Sequence, residues 1–407
     1  MNQAWSGERE QPGRVPRGPM RILFVKYELA WPRASGHDVH TYSLMQALTK
    51  LGHEVALATD QPVSREAVSG LDLTDTFSLA DDDRSGTEAR PVRLSYLQER
   101  FRRYWGVDAR KIRSTSRIAL ELSADAVVSV GLEALPYLSE VQNATRIWYA
   151  ADEWLWHHLS LLDLDPQTWG HVQKGLLKGL YERSYASVFD RAWVVSEPDR
   201  TALRWVAGKS AVDVIPHGVD SAAFSPPECA ELPNSCAFWG RLDFEPNIRA
   251  LRWFCGQVWP RVAGFRDDAV FNIYGFNPTS EVAGFANTKG VLVHPNVENI
   301  REAVSQNQLV VLPFFTGGGV KNKLLEASAM AKPIVCTRRA LNGLSGDAAS
   351  TMEVVDKDPV AWARSITGLW DDSDRRAGLG AGTRRWVIEN HSWTCSAEAA
   401  LRSLSGN

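Results

Sequence analysis

Residues 20–59 read MRILFVKYELAWPRASGHDVHTYSLMQALTKLGHEVALAT, and their pattern decides the fold. A continuous apolar run opens at Met20, a loop containing Gly36 follows, and apolar residues from Val39 to Leu48 then recur at helical spacing. Gly52 ends this helix before a second apolar run begins. Strand, glycine loop, helix and strand in this order predict a parallel sheet, whose ligands bind at the carboxyl ends of its strands.

The same alternation continues along the chain and repeats in its second half. Further apolar runs predict strands at 124–131, 146–153, 191–197, 213–220, 236–243, 271–276, 290–296, 309–315, 333–337 and 352–356. A stretch rich in Pro, Ser and Ala at 221–235 is the best linker candidate. We therefore expect an α/β fold of two doubly wound domains, residues 20–208 and 209–385, facing a substrate cleft after a disordered tail at residues 1–19.

Composition narrows the classes of function. Forty-five basic and forty-eight acidic residues give a formal net charge of −3, which argues against binding of nucleic acid through bulk charge. Five widely spaced cysteines fit neither a disulfide framework nor a zinc knuckle, and residues 1–19 lack the apolar centre of a secretory signal. We expect a cytoplasmic protein that needs no metal, because His and Cys lack metal-ligand spacing and the pair Asp163 and Asp165 follows no strand.

Residues 314–333, FFTGGGVKNKLLEASAMAKP, raise a question of charge. Three glycines follow a predicted strand, and the helical spacing after them begins near Val320. Lys321 and Lys323 then occupy the first turn, where the helix dipole disfavours cations. A bound diphosphate would resolve the conflict, because both the free amides of the glycine loop and the lysines attract anions. The alternative is a plain glycine turn with a surface ion pair between Lys323 and Glu326.

Two other positions are candidates on the same reasoning. Arg241 follows the predicted strand at 236–243 and faces the same edge, although a salt bridge to Asp243 would also explain it. Gly36 would let a sugar or an acceptor approach the backbone of the first domain. His37 and His40 flank this glycine, and a lone histidine is more often structural than catalytic.

A basic amphipathic helix is predicted at residues 97–117. It places Leu97, Phe101 and Tyr104 on one stripe, with basic residues close around them. Such a helix can bind anionic lipid, which would make the protein peripheral at the inner face of a membrane. The alternative is a surface helix that packs its aromatic side chains inward, and from the sequence we favour this interpretation.

These features together resemble the glycosyltransferases of the GT-B architecture, and specifically the retaining group called glycosyltransferase family 4. The resemblance covers nearly the whole chain from Met20. The segments that carry it are SGHDVH (35–40), LTKLGHEV (48–55), VVSEPDRTAL (194–203), VIPHGVDSAAFSP (214–226), FWGRLDFEPNIRALRWF (238–254), IYGFNP (273–278), GGGVKNKLLEASAMAKPIVCT (317–337) and HSWTCSAEAALRSL (391–404). The last of these resembles the family's final helices, which implies that residues 386–407 cross back to the first domain.

The resemblance implies roles for individual residues. Arg241 and Lys323 match the basic residues that hold the donor diphosphate, and Glu326 matches the second glutamate of the family's Glu-x7-Glu motif, which binds the ribose. The strand end near Gly275 and the loop 295–297 would border the nucleobase. The donor-binding residues expected in this way are Gly36, Arg241, Gly275, Val297, Gly317, Gly318, Gly319, Val320, Lys321, Lys323 and Glu326.

The sequence departs from the family's pattern in three places. Gly318 stands where the first glutamate of the motif is common, as in a subgroup with a G-G-G-x-x-x-K-x-L-E pattern. The lysine that often follows the GRLD-type arginine is missing, with Asn247 in that neighbourhood, so Lys321 would supply the lost charge. The family's strand-end histidine is replaced near Asp152, which becomes the candidate for orienting the acceptor or the sugar.

The implied activity is transfer of a hexose from a nucleotide diphosphate sugar to an acceptor hydroxyl, with retention at the anomeric carbon. Arg241, Lys323 and Asp152 are the catalytic candidates, no cofactor is needed, and the acceptor is a carbohydrate, a lipid-linked molecule or a small molecule. One alternative is a non-catalytic partner of another transferase, which Gly318 supports. Another is a GT-B sugar-nucleotide epimerase or phosphorylase.

Overall fold

The computed structural model describes residues 18–31, 36–80, 92–151, 169–209, 211–226, 229–316 and 319–406. The described residues form two parallel sheets, each covered by helices on both faces. The seven strands of the first sheet run in the order β3-β2-β1-β4-β5-β6-β7. They are β1 (Arg21–Lys26), β2 (Glu54–Thr59), β3 (Asp75–Ser78), β4 (Ala126–Val130), β5 (Thr145–Ala151), β6 (Arg191–Val194) and β7 (Val212–Val214).

The helices of the first domain connect these strands. They are α1 (Gly36–Lys50), α2 (Arg65–Val68), α3 (Tyr96–Tyr104), α4 (Ala109–Glu121), α5 (Trp169–Tyr185) and α6 (Glu197–Ala207). The segment at residues 97–117 is therefore two helices rather than the single predicted one. Gly106 has a left-handed φ of 67°, and the Asp108 side chain accepts a hydrogen bond from the Arg110 backbone N–H, which starts a new helix.

The second sheet has six strands in the order β10-β9-β8-β11-β12-β13. They are β8 (Leu232–Arg241), β9 (Val270–Phe276), β10 (Val291–Pro295), β11 (Asn307–Leu312), β12 (Ile334–Cys336) and β13 (Glu353–Val354). The helices are α7 (Glu245–Trp253), α8 (Trp259–Phe265), α9 (Ser280–Gly284), α10 (Ile300–Ser305), α11 (Asn322–Ala329), α12 (Pro359–Asp371), α13 (Ser373–Asn390) and α14 (Trp393–Ser405). Both sheets are doubly wound. The first strand of each in chain order, β1 or β8, lies near the centre of its sheet, and later strands are added on both sides.

The first sheet includes β7, which lies after residue 208, the predicted end of the first domain. The three residues of β7 pair in parallel with β6. A strand this short carries little periodic signal, and its partner is set by tertiary contact. The linker predicted at 221–235 ends inside β8, which already begins at Leu232.

The last helix, α14, packs against the first domain. Its residues Ala397, Ala400 and Leu401 belong to the same buried cluster as the apolar residues of α1 and β1. Ser403 accepts a hydrogen bond from the Trp193 indole N–H at 2.9 Å. The chain thus crosses from the second domain back to the first at residues 391–393. Within the described residues, no helix is both long and apolar enough to cross a membrane.

Candidate functional site

Side chains from β8, α7 and α11 meet at the carboxyl edge of the second sheet. Strand β8 lies between β9 and β11, and the chain passes from β11 through the glycine segment into α11. Parallel strands bring all their carboxyl ends to one edge, so residues far apart in sequence become neighbours there. Helix α11 begins at Asn322 with Lys321 as its N-cap, two residues after the start predicted from spacing.

Lys323 projects into an apolar and aromatic corner of this site. Its ammonium lies 4.3 Å from the ring centre of Phe238 and 5.0 Å from that of Phe314. Its hydrogen-bond acceptor is the side-chain amide oxygen of Asn247, at 2.9 Å. Burial lowers the pKa of Lys323 to about 7, with Lys321 lowering it further and Glu326 opposing the shift. A substantial fraction of this lysine is therefore neutral near pH 7, and an anion beside it would raise its pKa.

Glu326 is held one turn along the same helix. The indole N–H of Trp239 donates to its carboxylate at 2.9 Å. Burial raises the pKa of Glu326, while the Trp239 hydrogen bond and Lys323 act against that rise. The surface ion pair considered as the alternative is therefore not the arrangement seen, because both side chains are partly buried and each has a different hydrogen-bond partner.

Asn247 links the two basic candidates, and sequence reasoning did not count it as a site residue. It is buried, accepts from Lys323, and donates through its amide N–H to the backbone carbonyl of Arg241 at 2.7 Å. The sequence signal was present, since Asn247 stands near the position where the family's missing lysine would lie. Trp239 was missed in the same way, although it lies inside the FWGRLD segment.

Two glycines let the strands and side chains approach closely here. A Cβ on Gly275 would lie 1.8 Å from the carbonyl oxygen of Gly240, so only glycine fits between β8 and β9. A Cβ on Gly240, at φ +140°, would lie 2.9 Å from the Lys323 Nζ. Gly275 thus has a packing role at this edge, next to the loop at 295–297 in which Val297 packs on the core of the second domain.

The turn before α11 is braced on both domains. Gly319 has a left-handed φ of 71°, and its carbonyl accepts a hydrogen bond from the Lys321 ammonium at 3.0 Å. Val320 packs against the hydrophobic clusters of both domains. The predicted residues Gly317 and Gly318 lie outside the described residues, as does Asp152.

Arg241 lies at the solvent side of the site. Its guanidinium forms a two-bond ion pair with Asp243, at 3.1 and 3.0 Å, and its side chain is 66% exposed. The salt bridge considered from the sequence is therefore present. The pair raises the pKa of Arg241 and lowers that of Asp243.

On the first domain, Gly36 is the first residue of α1, and a Cβ there would meet no atom within 4 Å. Asp38 in the same turn pairs with Lys26 at the end of β1, at 2.7 Å. His40 is buried, 4.8 Å from the Tyr149 ring and 5.1 Å from the rings of both His217 and Trp393.

These rings pack where the chain crosses between domains. Burial and the neighbouring histidines lower the pKa of His40, and burial lowers that of His217 to about 3. Both imidazoles are therefore neutral at physiological pH. Among the described residues, no group of three His, Cys, Asp or Glu side chains could hold a metal ion.

The sequence of the second domain matches a known family profile. Residues 233–372, about a third of the chain, match the sequence profile of the family described as "Glycosyl transferases group 1". No curated protein sequence gives a significant match.

Several solved structures are similar over their full length. TarM of S. aureus superposes with a TM-score of 0.68 at 11% identity, covering 95% of this chain and 99% of TarM. Anabaena HepE in complex with UDP gives 0.64 at 11%, covering 95% and 100%. The sucrose-phosphate synthase from Thermosynechococcus elongatus gives 0.63 at 15%, covering 93% and 96%.

The fold is GT-B, with two Rossmann-like domains. The matched domain, which contains Trp239, Arg241, Asn247, Lys323 and Glu326, and the GT-B fold together support a glycosyltransferase.

Proposed function

We propose that this protein transfers a hexose from a nucleotide diphosphate sugar to an acceptor hydroxyl, with retention at the anomeric carbon. The observation that carries the proposal is Lys323 at the start of α11, held over two phenyl rings by a neutral amide. A helix start and a partly buried lysine, whose bonded acceptor among the described residues is a neutral amide, together suit an anion. HepE has been crystallised with UDP and glucose, and TarM with UDP and a GlcNAc-glycerol, which supports the same ligand class here.

Each residue of the site has a proposed role. Lys323, Arg241 and the glycine segment 317–319 bind the donor diphosphate, with Lys321 adding charge and Val320 bracing the turn. Glu326, fixed by Trp239, binds the ribose hydroxyls. The edge at Gly275 and Val297 borders the nucleobase, and Gly36 approaches the transferred sugar or the acceptor.

The proposed chemistry breaks the bond between the anomeric carbon and the diphosphate oxygen. The acceptor oxygen attacks the same face, and its proton passes to the departing phosphate, so the protein supplies no nucleophile. Negative charge grows on the diphosphate as the bond breaks, and fixed cations and amides stabilise it. Asp152 is proposed to orient the acceptor or the sugar.

We also propose that the protein belongs to glycosyltransferase family 4, needs no metal and is cytoplasmic. Residues 97–117 are proposed to make peripheral contact with the inner face of the membrane. The acceptor is a carbohydrate, a lipid-linked molecule or a small molecule.

A ligand panel tests the donor site. Purified protein is mixed with UDP-, GDP- and dTDP-sugars. We expect the sugars of one nucleotide to raise the melting temperature of the protein, because a ligand bound only to the folded state stabilises it. Lys323→Ala should abolish the shift, whereas Lys289→Ala, at an exposed lysine paired with Asp267, should keep it. Equal shifts in both variants would remove Lys323 from the diphosphate site. Binding without any sugar transfer or hydrolysis would favour the non-catalytic alternative.

A further inference from the structure

Helix α3 presents large apolar side chains to solvent. Its exposed residues are Tyr96, Leu97, Arg100, Arg103 and Tyr104, whose spacing puts them on one face of the helix. Tyr96 is 79% exposed and Tyr104 66%. The opposite face is used for packing, since the Phe101 ring meets that of Tyr181 at 5.1 Å. The inward packing that we favoured from the sequence is thus confirmed for Phe101 alone of the predicted stripe.

Helix α5 has an outward face of the same kind. Its exposed residues include Leu176, Leu177, Leu180 and Arg183, which recur at helical spacing. Leu176 is 55% exposed and Leu180 60%. Soluble proteins rarely expose large apolar side chains in clusters unless the cluster binds something.

A groove joins the two faces into one surface. It has a volume of about 160 Å³ and is lined by Phe101, Tyr104, Trp105, Leu177, Lys178 and Tyr181. Tyr104 belongs to the exposed face of α3 and Leu177 to that of α5, so the two faces adjoin. We call the exposed residues of α3 and α5 with this groove the two-helix surface.

Charge around this surface differs from that of the whole chain. Helix α3 contains three arginines and one glutamate, whereas the chain as a whole carries a formal net charge of −3. The Arg102 guanidinium is used within the protein, because it donates hydrogen bonds to the Glu99 carboxylate and to the Val107 carbonyl. Arg100 and Arg103 remain on the outward face, the latter beside Glu99 at 2.8 Å.

We propose that the two-helix surface docks the protein on an anionic lipid bilayer. Leucine and tyrosine side chains next to arginines match the interface of a bilayer, where apolar groups enter the acyl boundary and cations meet anionic headgroups. Tyrosine in particular favours that interface, because its ring is apolar and its hydroxyl polar. The contact thus rests on two helices, and α5 was not among the residues that the sequence associated with lipid.

The surface adjoins the carboxyl edge of the first sheet. The Tyr181 hydroxyl donates to the carbonyl of Leu132 at 2.9 Å, and Leu132 lies two residues after β4. Docking would therefore bring this edge close to the bilayer. If the proposed transfer reaction is correct, this arrangement suits an acceptor held in the membrane.

Vesicle sedimentation tests the docking. The full-length protein should pellet with phosphatidylcholine vesicles that contain phosphatidylglycerol, and much less with pure phosphatidylcholine. Each basic residue near an anionic surface contributes about fivefold in partitioning, so Arg100→Glu with Arg103→Glu should lower it at least about twentyfold. Salt at about 0.5 M should weaken binding as well.

Matched variants separate docking from general surface effects. Leu176→Ser with Leu180→Ser should also lose vesicle binding, whereas Phe265→Ser, at an exposed aromatic of the second domain, should keep it. Arg261→Glu with Lys289→Glu is the charge control in the second domain. All variants must retain the melting temperature and the nucleotide-sugar shift measured without vesicles, so failure of docking is distinguishable from failure of the donor site.

Three results would overturn the proposal. They are equal pelleting of the Arg100 and Arg103 variant and the charge control, equal binding to neutral and anionic vesicles, and a dimer that the leucine substitutions dissociate. The last result would assign the surface to a second copy of the chain.

Discussion

The protonation of Lys323 should make donor binding depend on pH. With a pKa of about 7, against an ordinary 10.5, this ammonium is about nine-tenths charged at pH 6 and about one-tenth charged at pH 8. Only the charged form attracts a diphosphate. Affinity for a nucleotide sugar should therefore fall about tenfold between these pH values, or about 1.4 kcal/mol.

Calorimetry with UDP-glucose, or with the nucleotide sugar that gives the largest thermal shift, measures both the affinity and the protons exchanged. Repeating the titration in buffers of different ionisation enthalpy should show uptake of about 0.9 proton per ligand at pH 8 and about 0.1 at pH 6. The buried His217, with a pKa of about 3, stays neutral across this range.

Two variants isolate the lysine. Lys323→Arg keeps a permanent charge and should flatten the pH profile, while Lys323→Gln should bind weakly at every pH. A wild-type affinity that is constant from pH 6 to 8 without proton uptake would refute the reasoning.

The pH dependence of folding stability provides an independent test of the lowered Lys323 pKa. The folded-state pKa of Lys323 lies below its unfolded value, so the unfolded chain binds more protons between about pH 7 and 10.5. This group therefore makes stability rise with pH in that window, while donor affinity falls. Loss of affinity through partial unfolding at pH 8 would show the opposite trend in melting temperature.

Three further predictions concern the surroundings of this lysine. Asn247→Asp puts a carboxylate at the 2.9 Å contact, so it should restore a high lysine pKa, flatten the pH profile and weaken donor binding at pH 6; an unchanged calorimetric profile would contradict this. Trp239→Phe removes the hydrogen bond to the Glu326 carboxylate and leaves space in the core, so it should lower the melting temperature and weaken nucleotide binding about tenfold; calorimetry at a temperature where a thermal melt shows the variant folded checks the binding. Gly275→Ala forces a Cβ against backbone and should lower stability by at least about 3 kcal/mol in denaturant unfolding, whereas Gly284→Ala, with open space around it, should be neutral.

The architecture was largely predictable from local pattern. Buried parallel strands read as continuous apolar runs, and the glycine loops between strand and helix mark their carboxyl ends. Strand β3 was the exception in the first half, since it lies at the sheet edge and none of its four residues is buried. Edge strands bury few side chains, so their sequences carry little hydrophobic pattern.

The candidate site could be predicted from the sequence only where charged residues stood out. Lys323 and Glu326 could be found because they share a helix with a conspicuous glycine run. Asn247 and Trp239 could not, because their value depends on β8 lying beside α11, a neighbourhood created by strand order rather than by spacing. The two-helix surface could not be predicted for the same reason. The sequence of α5 does not indicate that its leucines face outward beside α3.

Sugar transfer by this GT-B protein, with Lys323 at the donor diphosphate, can be measured directly. The most direct test incubates purified protein with the nucleotide sugar selected by thermal shift and a mixture of acceptors, and follows release of the nucleoside diphosphate and the anomeric signal of the product by NMR. We expect turnover with retained configuration, reduced about 10²- to 10³-fold in Lys323→Ala and unchanged in Lys289→Ala. Nucleotide-sugar binding with no product, or full turnover in Lys323→Ala, would contradict this expectation.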